Sequence, residues 1–288
     1  MRLGIHASTS GGVDNAAHET IGVGANCMQI FSSSPRQWRA STPDPAAVKR
    51  FRDLRDKHGL SPCVIHTNYL INLGASNMDV LRQSMEAFRG EVERALTIGA
   101  EYLVMHPGSW KGHPGVEAAI DIVAASVAVG ARGLNTRGLR LLYEGTAGAG
   151  QALGGKLEEL ALVASQTSRL TDLAVGFCLD TCHLYAAGYN IATADGLSAV
   201  TKQIESVLGF GNVPVIHTND SKGALGSHLD RHAHIGQGQI GEDGFARILR
   251  HPKWKKCAFV LETPEDESGD HRKNLEVLRR LAAKSGGS

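Results

Sequence analysis

Six predicted β-strands carry, at or near their C-terminal ends, a histidine, aspartate or glutamate, the residue types that bind zinc and similar ions. In a parallel α/β barrel the C-terminal ends of all strands lie on one face. Several carboxylates and imidazoles crowded together there would repel one another and lose hydration unless cations lay among them. The pattern therefore predicts a metal centre. Its candidate ligands are His66, His106, Glu144, Asp180, His217 and Glu262.

A second cluster of ligand-type residues lies close to the first in the sequence. His183 follows Asp180 by three residues, and Asp230-x-His232 lies in a long glycine-rich segment, 220–241, that shows no secondary-structure pattern. Taken singly, each residue has a simpler role as a helix cap or a hydrogen-bonded loop residue. Next to a metal-binding rim, His183, Asp230 and His232 together indicate a further ion.

The order of the predicted elements indicates the scaffold. Short β-rich runs alternate with amphipathic helical stretches, which implies a parallel sheet, and eight strands close a barrel. We therefore predict an α/β protein with a single (β/α)8 TIM barrel over residues 1–284 and a flexible tail at 285–288. The predicted strands are Leu3–His6, Cys27–Phe31, Cys63–His66, Tyr102–His106, Arg140–Glu144, Val175–Asp180, Val213–Asn219 and Cys257–Glu262. The predicted helices are Pro45–His58, Met78–Ile98, Val116–Gly133, Leu157–Thr167, Ala194–Leu208, Gly244–Arg250 and Asp270–Ala283.

The composition is that of a globular protein with a large core, since 42% of residues are hydrophobic and 20% are charged. No run approaches the roughly 18 apolar residues that a membrane span needs. The first residues show no charged and then apolar pattern, so we expect no secretion. The five cysteines lack CxxC spacing, which favours buried, reduced thiols. We therefore expect a cytoplasmic protein with no membrane partner. No heptad or dimerisation stripe is present, so we expect a monomer.

Longer motifs in this chain are similar to those of the endonuclease IV family of apurinic/apyrimidinic endonucleases. The similarity runs along nearly the whole chain, and the motifs together are far more specific than any one of them. They are SPRQWR (34–39), HTNYLINLG (66–74), HPGS (106–109), DTCH (180–183), AAGY (186–189), HTNDSK (217–222), DRH (230–232), IGxGxIG (235–241) and LET (261–263).

The resemblance implies a TIM barrel that holds three zinc ions per chain. Mn²⁺ can replace Zn²⁺ at sites built from nitrogen and oxygen ligands. By position in the motifs, His66, His106 and Glu144 would hold the first ion, and Glu144 would bridge to the second. The other ligands of the second ion would be Asp180, His217 and Glu262, and those of the third would be His183, Asp230 and His232.

The resemblance also implies a DNA repair endonuclease, which hydrolyses the phosphodiester bond 5′ to abasic sites in duplex DNA and leaves a 3′-hydroxyl and a 5′-deoxyribose phosphate. A metal-bound water with a pKa lowered toward about 7 would supply the nucleophile, and paired ions would neutralise the phosphate. Glu144 and Glu262 are the predicted catalytic carboxylates. Arg36, Tyr69 and Leu70, on the loops after the second and third strands, are predicted to contact DNA and fill the gap at the lesion.

Two departures from the family's pattern affect neighbours of the predicted ligands. Gly145 follows Glu144 where the family usually has Asp or Asn, and Ala233-His234 stands where a Glu-Asn pair is common. Neighbours of this kind orient metal ligands through hydrogen bonds, so the departures can alter metal affinity or rate.

Two alternatives compete with this interpretation. A metal-dependent sugar isomerase or epimerase is the first, because such barrels also place His, Asp and Glu ligands at strand ends. The third ligand set and the predicted DNA-contact loops argue against it, since a sugar pocket needs neither. A non-catalytic protein that binds lesions and uses metals structurally is the second, and the complete ligand set argues against it.

Overall fold

The computed structural model describes residues 1–267 and 270–283. The strands in these ranges, in chain order, are β1 Arg2–His6, β2 Cys27–Phe31, β3 Cys63–His66, β4 Tyr102–Met105, β5 Arg140–Glu144, β6 Ala174–Asp180, β7 Val215–His217, β8 Asp220–Ser221, β9 His232–Ala233 and β10 Ala258–Leu261. All except β8 and β9 are parallel and close into a barrel in the order β1-β10-β7-β6-β5-β4-β3-β2. The predicted TIM barrel is confirmed. The predicted domain end at 284 and the tail at 285–288 lie outside the described residues.

Helices connect the strands and surround the barrel. They are α1 Val13–Gly22, α2 Pro45–His58, α3 Met78–Ile98, α4 Val116–Ala131, α5 Leu157–Leu170, α6 Thr181–Ala186, α7 Ala194–Val207, α8 Gly241–Arg250 and α9 His271–Ala283. The ends of α2 show why its bounds were predictable. The Asp44 side chain accepts the backbone N–H groups of Ala46 and Ala47, Pro45 occupies the first turn, and Gly59 ends the helix in the left-handed conformation.

Strand residues alternate between two apolar layers. In β2, Met28 and Ile30 belong to the layer between sheet and helices, whereas Cys27 belongs to the barrel interior. The interior is filled by short side chains, and the outer layer holds larger ones such as Phe51 and Trp254. The barrel is therefore closed beneath the strand ends. The interior residues are Cys27, Val64, Val104, Leu142, Cys178, Val215, Ala258 and Val260.

All five cysteines are free and buried, as predicted. Burial raises the pKa of each thiol to about 12, so the thiols stay protonated at neutral pH. No described helix combines the length and the apolar character that crossing a membrane requires.

The structure contains elements that the sequence analysis did not predict. Helix α1 begins after Gly12, which has no side chain to cap it, and α6 has only six residues, too few to show a period. The prediction that 220–241 lacks secondary structure is wrong, because β8 and β9 pair there as an antiparallel ladder. Helix α8 starts at Gly241 rather than at the predicted Gly244. Strands of two residues carry no alternation that could reveal them.

One buried carboxylate holds the segment between β9 and α8. Asp220 is fully buried and accepts backbone N–H groups from Gly236, Gly238, Ile240 and Gly241 at 2.9 to 3.2 Å. Hydrogen bonds to an ionised acceptor are stronger than neutral ones. A Cβ atom at Gly238 would collide with the carboxylate, so this close approach requires glycine. Asp220 therefore fixes the glycine-rich segment against β8.

We expect Asp220→Ala to lower the free energy of unfolding by about 3 kcal/mol or more, because several buried N–H donors lose a charged acceptor together. Urea denaturation followed by circular dichroism measures the change. Asp56→Ala, on the exposed face of α2, is the control and should change the value by less than about 0.5 kcal/mol. A loss at Asp220 no larger than the control's would contradict the anchoring role.

Candidate metal centre

The candidate ligands of the first cluster all lie at one end of the barrel. Four of them are the last residues of β3, β5, β6 and β7, and two directly follow β4 and β10. Because the strands are parallel and form a closed ring, these positions face one another across the rim. They are His66, Glu144, Asp180 and His217, followed by His106 and Glu262.

The first group consists of His66, His106 and Glu144, whose ligand atoms lie within 4.8 Å of one another. Nδ1 of His66 lies 2.7 Å from the carbonyl oxygen of Thr67, to which it can only donate. In the neutral imidazole, Nε2 then keeps the lone pair, and it faces Oε2 of Glu144 at 3.0 Å. Nε2 of His106 lies 3.6 Å from the same oxygen. Ligand atoms gathered this closely fit a shared cation.

The second group shares Glu144 and adds Asp180, His217 and Glu262. Nδ1 of His217 lies 2.8 Å from Oε1 of Glu144 and 3.3 Å from Oε2 of Glu262. Asp180 is fully buried and accepts the side-chain N–H of Asn219 at 2.7 Å. Glu144 thus turns Oε2 to the first group and Oε1 to the second, which is the geometry of a bridging carboxylate.

The third group consists of His183 on α6 with Asp230 and His232 on the β8–β9 hairpin. Oδ1 of Asp230 lies 3.2 Å from Nε2 of His183 and 3.3 Å from Nε2 of His232. Each imidazole places Nδ1 on a carbonyl oxygen, that of Gly145 for His183 at 2.8 Å and that of Glu262 for His232 at 3.1 Å. Both Nε2 atoms are thereby directed toward one carboxylate.

The carboxylates change the proton affinities of the imidazoles. Burial opposes protonation of His183, but the attraction of Asp180 and the hydrogen bond to Asp230 outweigh it and raise its pKa to about 10. Burial also opposes protonation of His232, but the attraction of Asp180 and the interaction with Asp230 outweigh it and raise the pKa of His232 to about 9. Burial likewise opposes ionisation of Glu144, yet the histidines around it hold its pKa well below the usual range. The rim therefore favours positive charge at its centre, which divalent cations supply.

The donor set fits transition-metal ions bound through nitrogen and oxygen. Within the described residues, Nε2 of His232 is buried and lies 3.3 Å from Oδ1 of Asp230 without forming a well-directed hydrogen bond, as expected for an atom that faces an ion. Cys182 also lies within 4.8 Å of Asp180 and His232. Burial raises the pKa of its thiol to about 12, and the thiol donates to the carbonyl oxygen of Arg231, so Cys182 offers no thiolate.

Three residues that the sequence analysis did not select contact the candidate ligands. Asn219 accepts the backbone N–H of Glu262 at 2.9 Å, and Gln29 contacts His217 and Glu262. Nδ1 of His6 lies 3.4 Å from Glu262. His6 is the last residue of β1, so the strand-end pattern that selected the other ligands could have found it. No sequence signal distinguishes Gln29.

A cleft of about 400 Å³ opens above the ligand groups. Tyr69 lines this cleft, is 66% exposed and lies edge-on to Phe31 with ring centroids 5.3 Å apart. Its backbone N–H donates to the carbonyl oxygen of Pro35 at 3.2 Å, which ties its loop to the loop of Arg36. Arg36 is exposed and Leu70 is half-buried, so Leu70 offers less of its side chain than the other two predicted contact residues.

Comparison with known proteins identifies relatives along the whole chain. A sequence profile described as a xylose isomerase-like TIM barrel matches residues 18–281. A probable endonuclease 4 from Solibacter usitatus is 54% identical over 282 residues, which cover 98% of this chain and 97% of the relative. Endonuclease 4 from a strain of Thermus thermophilus is 41% identical over 280 residues, 96% of this chain and 97% of its own. The crystal structure of endonuclease IV from another strain of that species superposes with a TM-score of 0.85 at 39% identity, covering 98% of both chains.

Sugar-modifying enzymes share the architecture at much lower identity. A D-tagatose 3-epimerase-like protein superposes with a TM-score of 0.69 at 18% identity, covering 98% of this chain and 97% of its own, which shows a common fold alone. The endonuclease relatives combine full-length coverage with far higher identity. The chain therefore belongs to the endonuclease IV family of apurinic/apyrimidinic endonucleases.

Proposed function

We propose that this protein is a zinc-dependent DNA repair endonuclease, which hydrolyses the phosphodiester bond 5′ to abasic sites in duplex DNA and leaves a 3′-hydroxyl and a 5′-deoxyribose phosphate. The convergence of three ligand groups on one rim carries the proposal. Such closely spaced groups suit several ions that act on one phosphate. The names of the full-length relatives support the substrate class.

We assign one zinc ion to each ligand group. The ligand atoms of each group, which lie within 4.8 Å of one another, support this assignment, as does Nε2 of His232, which is buried and makes no well-directed hydrogen bond. The first ion would be held by His66, His106 and Glu144, the second by Glu144, Asp180, His217 and Glu262, and the third by His183, Asp230 and His232.

Zinc ions bound at these groups would supply a nucleophile at neutral pH and neutralise charge on the phosphate. In the reaction, a water oxygen bonds to phosphorus, the bond from phosphorus to the 3′ oxygen breaks, and that oxygen takes up a proton. Glu144 keeps the first two groups in register, because each of its oxygens faces a different group. Glu262 completes the second group with Oε2, beside His217.

Lesion recognition would depend on the two linked loops beside the cleft. An abasic site leaves a gap in the base stack, and a nucleotide must rotate out of the duplex before its phosphate reaches the metals. Proteins that distort DNA in this way insert side chains into the stack. The exposed Tyr69 and Arg36 suit this role, and the half-buried Leu70 would support Tyr69 from the same loop.

The cysteine thiols support a proposal for the cellular compartment. Five free cysteines in one chain suit a reducing compartment, so we propose that the protein acts in the cytoplasm. We further propose that it acts as a monomer, because all three ligand groups come from a single chain.

Protein purified without chelator should contain close to three transition-metal ions per chain, mostly zinc, because the three ligand groups share only Glu144. Mass-spectrometric elemental analysis measures the content. Incision of an abasic duplex should survive brief EDTA treatment and need no added Mg²⁺, since several ligands hold each ion. Active protein with one ion or none would contradict the three-zinc assignment.

Glu144→Gln should lower the rate of incision at least about 100-fold, because the amide keeps the volume of the side chain but loses the charge that bridges two cations. Circular dichroism should show an unchanged fold. Glu117→Gln, at an exposed position in the first turn of α4, is the matched control and should retain full activity. Near-normal turnover in Glu144→Gln would mean that another group organises the nucleophile.

Tyr69→Ala and Arg36→Ala should keep the metal content and folded stability but weaken binding to an abasic duplex by at least about 10-fold, the scale of one lost aromatic stacking contact. Undamaged duplex has no gap to fill, so its binding should weaken much less. Fluorescence anisotropy at fixed salt makes the comparison, with Glu144→Gln as the background so that the DNA is cut far more slowly than it binds. Equal losses on both duplexes would identify these residues as ordinary backbone contacts.

A further inference from the structure

Gln29 places a primary amide inside the barrel, directly against the candidate ligands. It is fully buried and lies on the same face of β2 as Cys27, which belongs to the barrel interior. Met28 and Ile30, on the opposite face, pack in the outer apolar layer. A buried amide costs free energy unless its donor and acceptor are both hydrogen-bonded. The contacts of Gln29 therefore have to satisfy both ends of the side chain.

The partners of Gln29 determine which end of the amide is which. Its Nε2 faces Oε1 of Glu262, and a carboxylate only accepts, so this end is the amino group. The same Nε2 lies 3.0 Å from Nδ1 of His6. At the other end, Oε1 lies 2.7 Å from Nε2 of His217. An amide oxygen only accepts, so His217 carries a proton on Nε2 and donates it.

This hydrogen bond decides where His217 can bind a metal. With the proton on Nε2, a neutral imidazole keeps its lone pair on Nδ1. That atom lies 2.8 Å from Oε1 of Glu144 and 3.3 Å from Oε2 of Glu262, inside the second ligand group. The amino group of Gln29 engages Oε1 of Glu262, which leaves Oε2 toward the same group. One buried amide thus orients ligand atoms on two residues.

We infer that Gln29 is a positioning residue for the second metal site, where it holds His217 in the tautomer that binds through Nδ1 and directs Oε2 of Glu262 at the ion. This inference rests on the proposed metal centre. His217 uses its two ring nitrogens in the opposite way to three other ligand histidines. Those three donate Nδ1–H to backbone carbonyl oxygens and present Nε2: His66, His183 and His232.

The tautomer can be observed in the unmodified, zinc-loaded protein. Long-range ¹H–¹⁵N correlation spectra of protein with ¹⁵N-labelled histidine distinguish a protonated ring nitrogen from a zinc-bound one. We expect His217, assigned by the loss of its signals in His217→Gln, to show a zinc-bound Nδ1 and a protonated Nε2. Binding through Nε2 would overturn the inference while leaving the metal centre intact. Protein that takes up no zinc would instead overturn the metal centre, and the inference with it.

Gln29→Met tests the same role through affinity, because methionine fills a similar volume without a hydrogen bond. We expect zinc at the second site to bind about 10- to 100-fold more weakly, with the other two sites unchanged. Titration with a chromophoric chelator measures the affinity. In Gln29→Met, one zinc per chain should pass to the chelator at a lower chelator concentration than in the unmodified protein. Ile30→Val, a mild truncation on the opposite face of β2, is the control and should retain every equivalent. Unchanged affinity in Gln29→Met, or equal weakening of all sites, would show that Gln29 only fills the barrel.

Discussion

Glu144 sets one buried carboxylate among four imidazoles from separate parts of the chain. Its Oε2 faces His66 and His106, and its Oε1 faces His183 and His217. A carboxylate only 1% exposed is costly unless positive charge and hydrogen bonds surround it. The closed barrel makes this possible, because parallel strands end on one rim above an interior packed with short apolar side chains. The closed barrel thus both brings the imidazoles together and makes the burial of the Glu144 carboxylate tolerable.

Most elements could be predicted from the sequence because their ends carry local signals. The strands at 27–31, 63–66 and 140–144 have the predicted bounds, since each is a short apolar run with clear polar or turn residues around it. Helix α2 also has its predicted bounds, because Asp44 caps its start and Gly59 ends it. Elements without such signals, among them α1 and the two-residue strands β8 and β9, were not predicted.

The candidate site was predictable to the extent that it depends on strand ends, whereas the partners of its ligands were not. Gln29 and His217 are far apart in the sequence, and only the closed barrel brings them into contact. The departure at Gly145 leaves the contact with His183 in place, because His183 bonds to the backbone carbonyl oxygen of residue 145, which any residue supplies. The departure at His234 has a different consequence. Its buried ring hydrogen-bonds to the side chain of Asp266 before α9 and to that of Asn274 within α9. These bonds connect α9 to the end of β9.

The third ligand group differs from the other two in the elements that hold its ligands. Asp230 and His232 lie on the β8–β9 hairpin, outside the barrel ladder, and the hairpin strands have two residues each. Contacts of its loop hold the hairpin in place, since the backbone N–H of His228 donates to the carbonyl oxygen of Ala186 at 2.9 Å and that of Gly226 to the carbonyl oxygen of Tyr185 at 3.1 Å. An ion at the proposed third site would join this hairpin to α6, because its ligands would come from the hairpin and from His183. Docking of the hairpin on α6 and binding of that ion would then be linked equilibria, each favouring the other by the same factor.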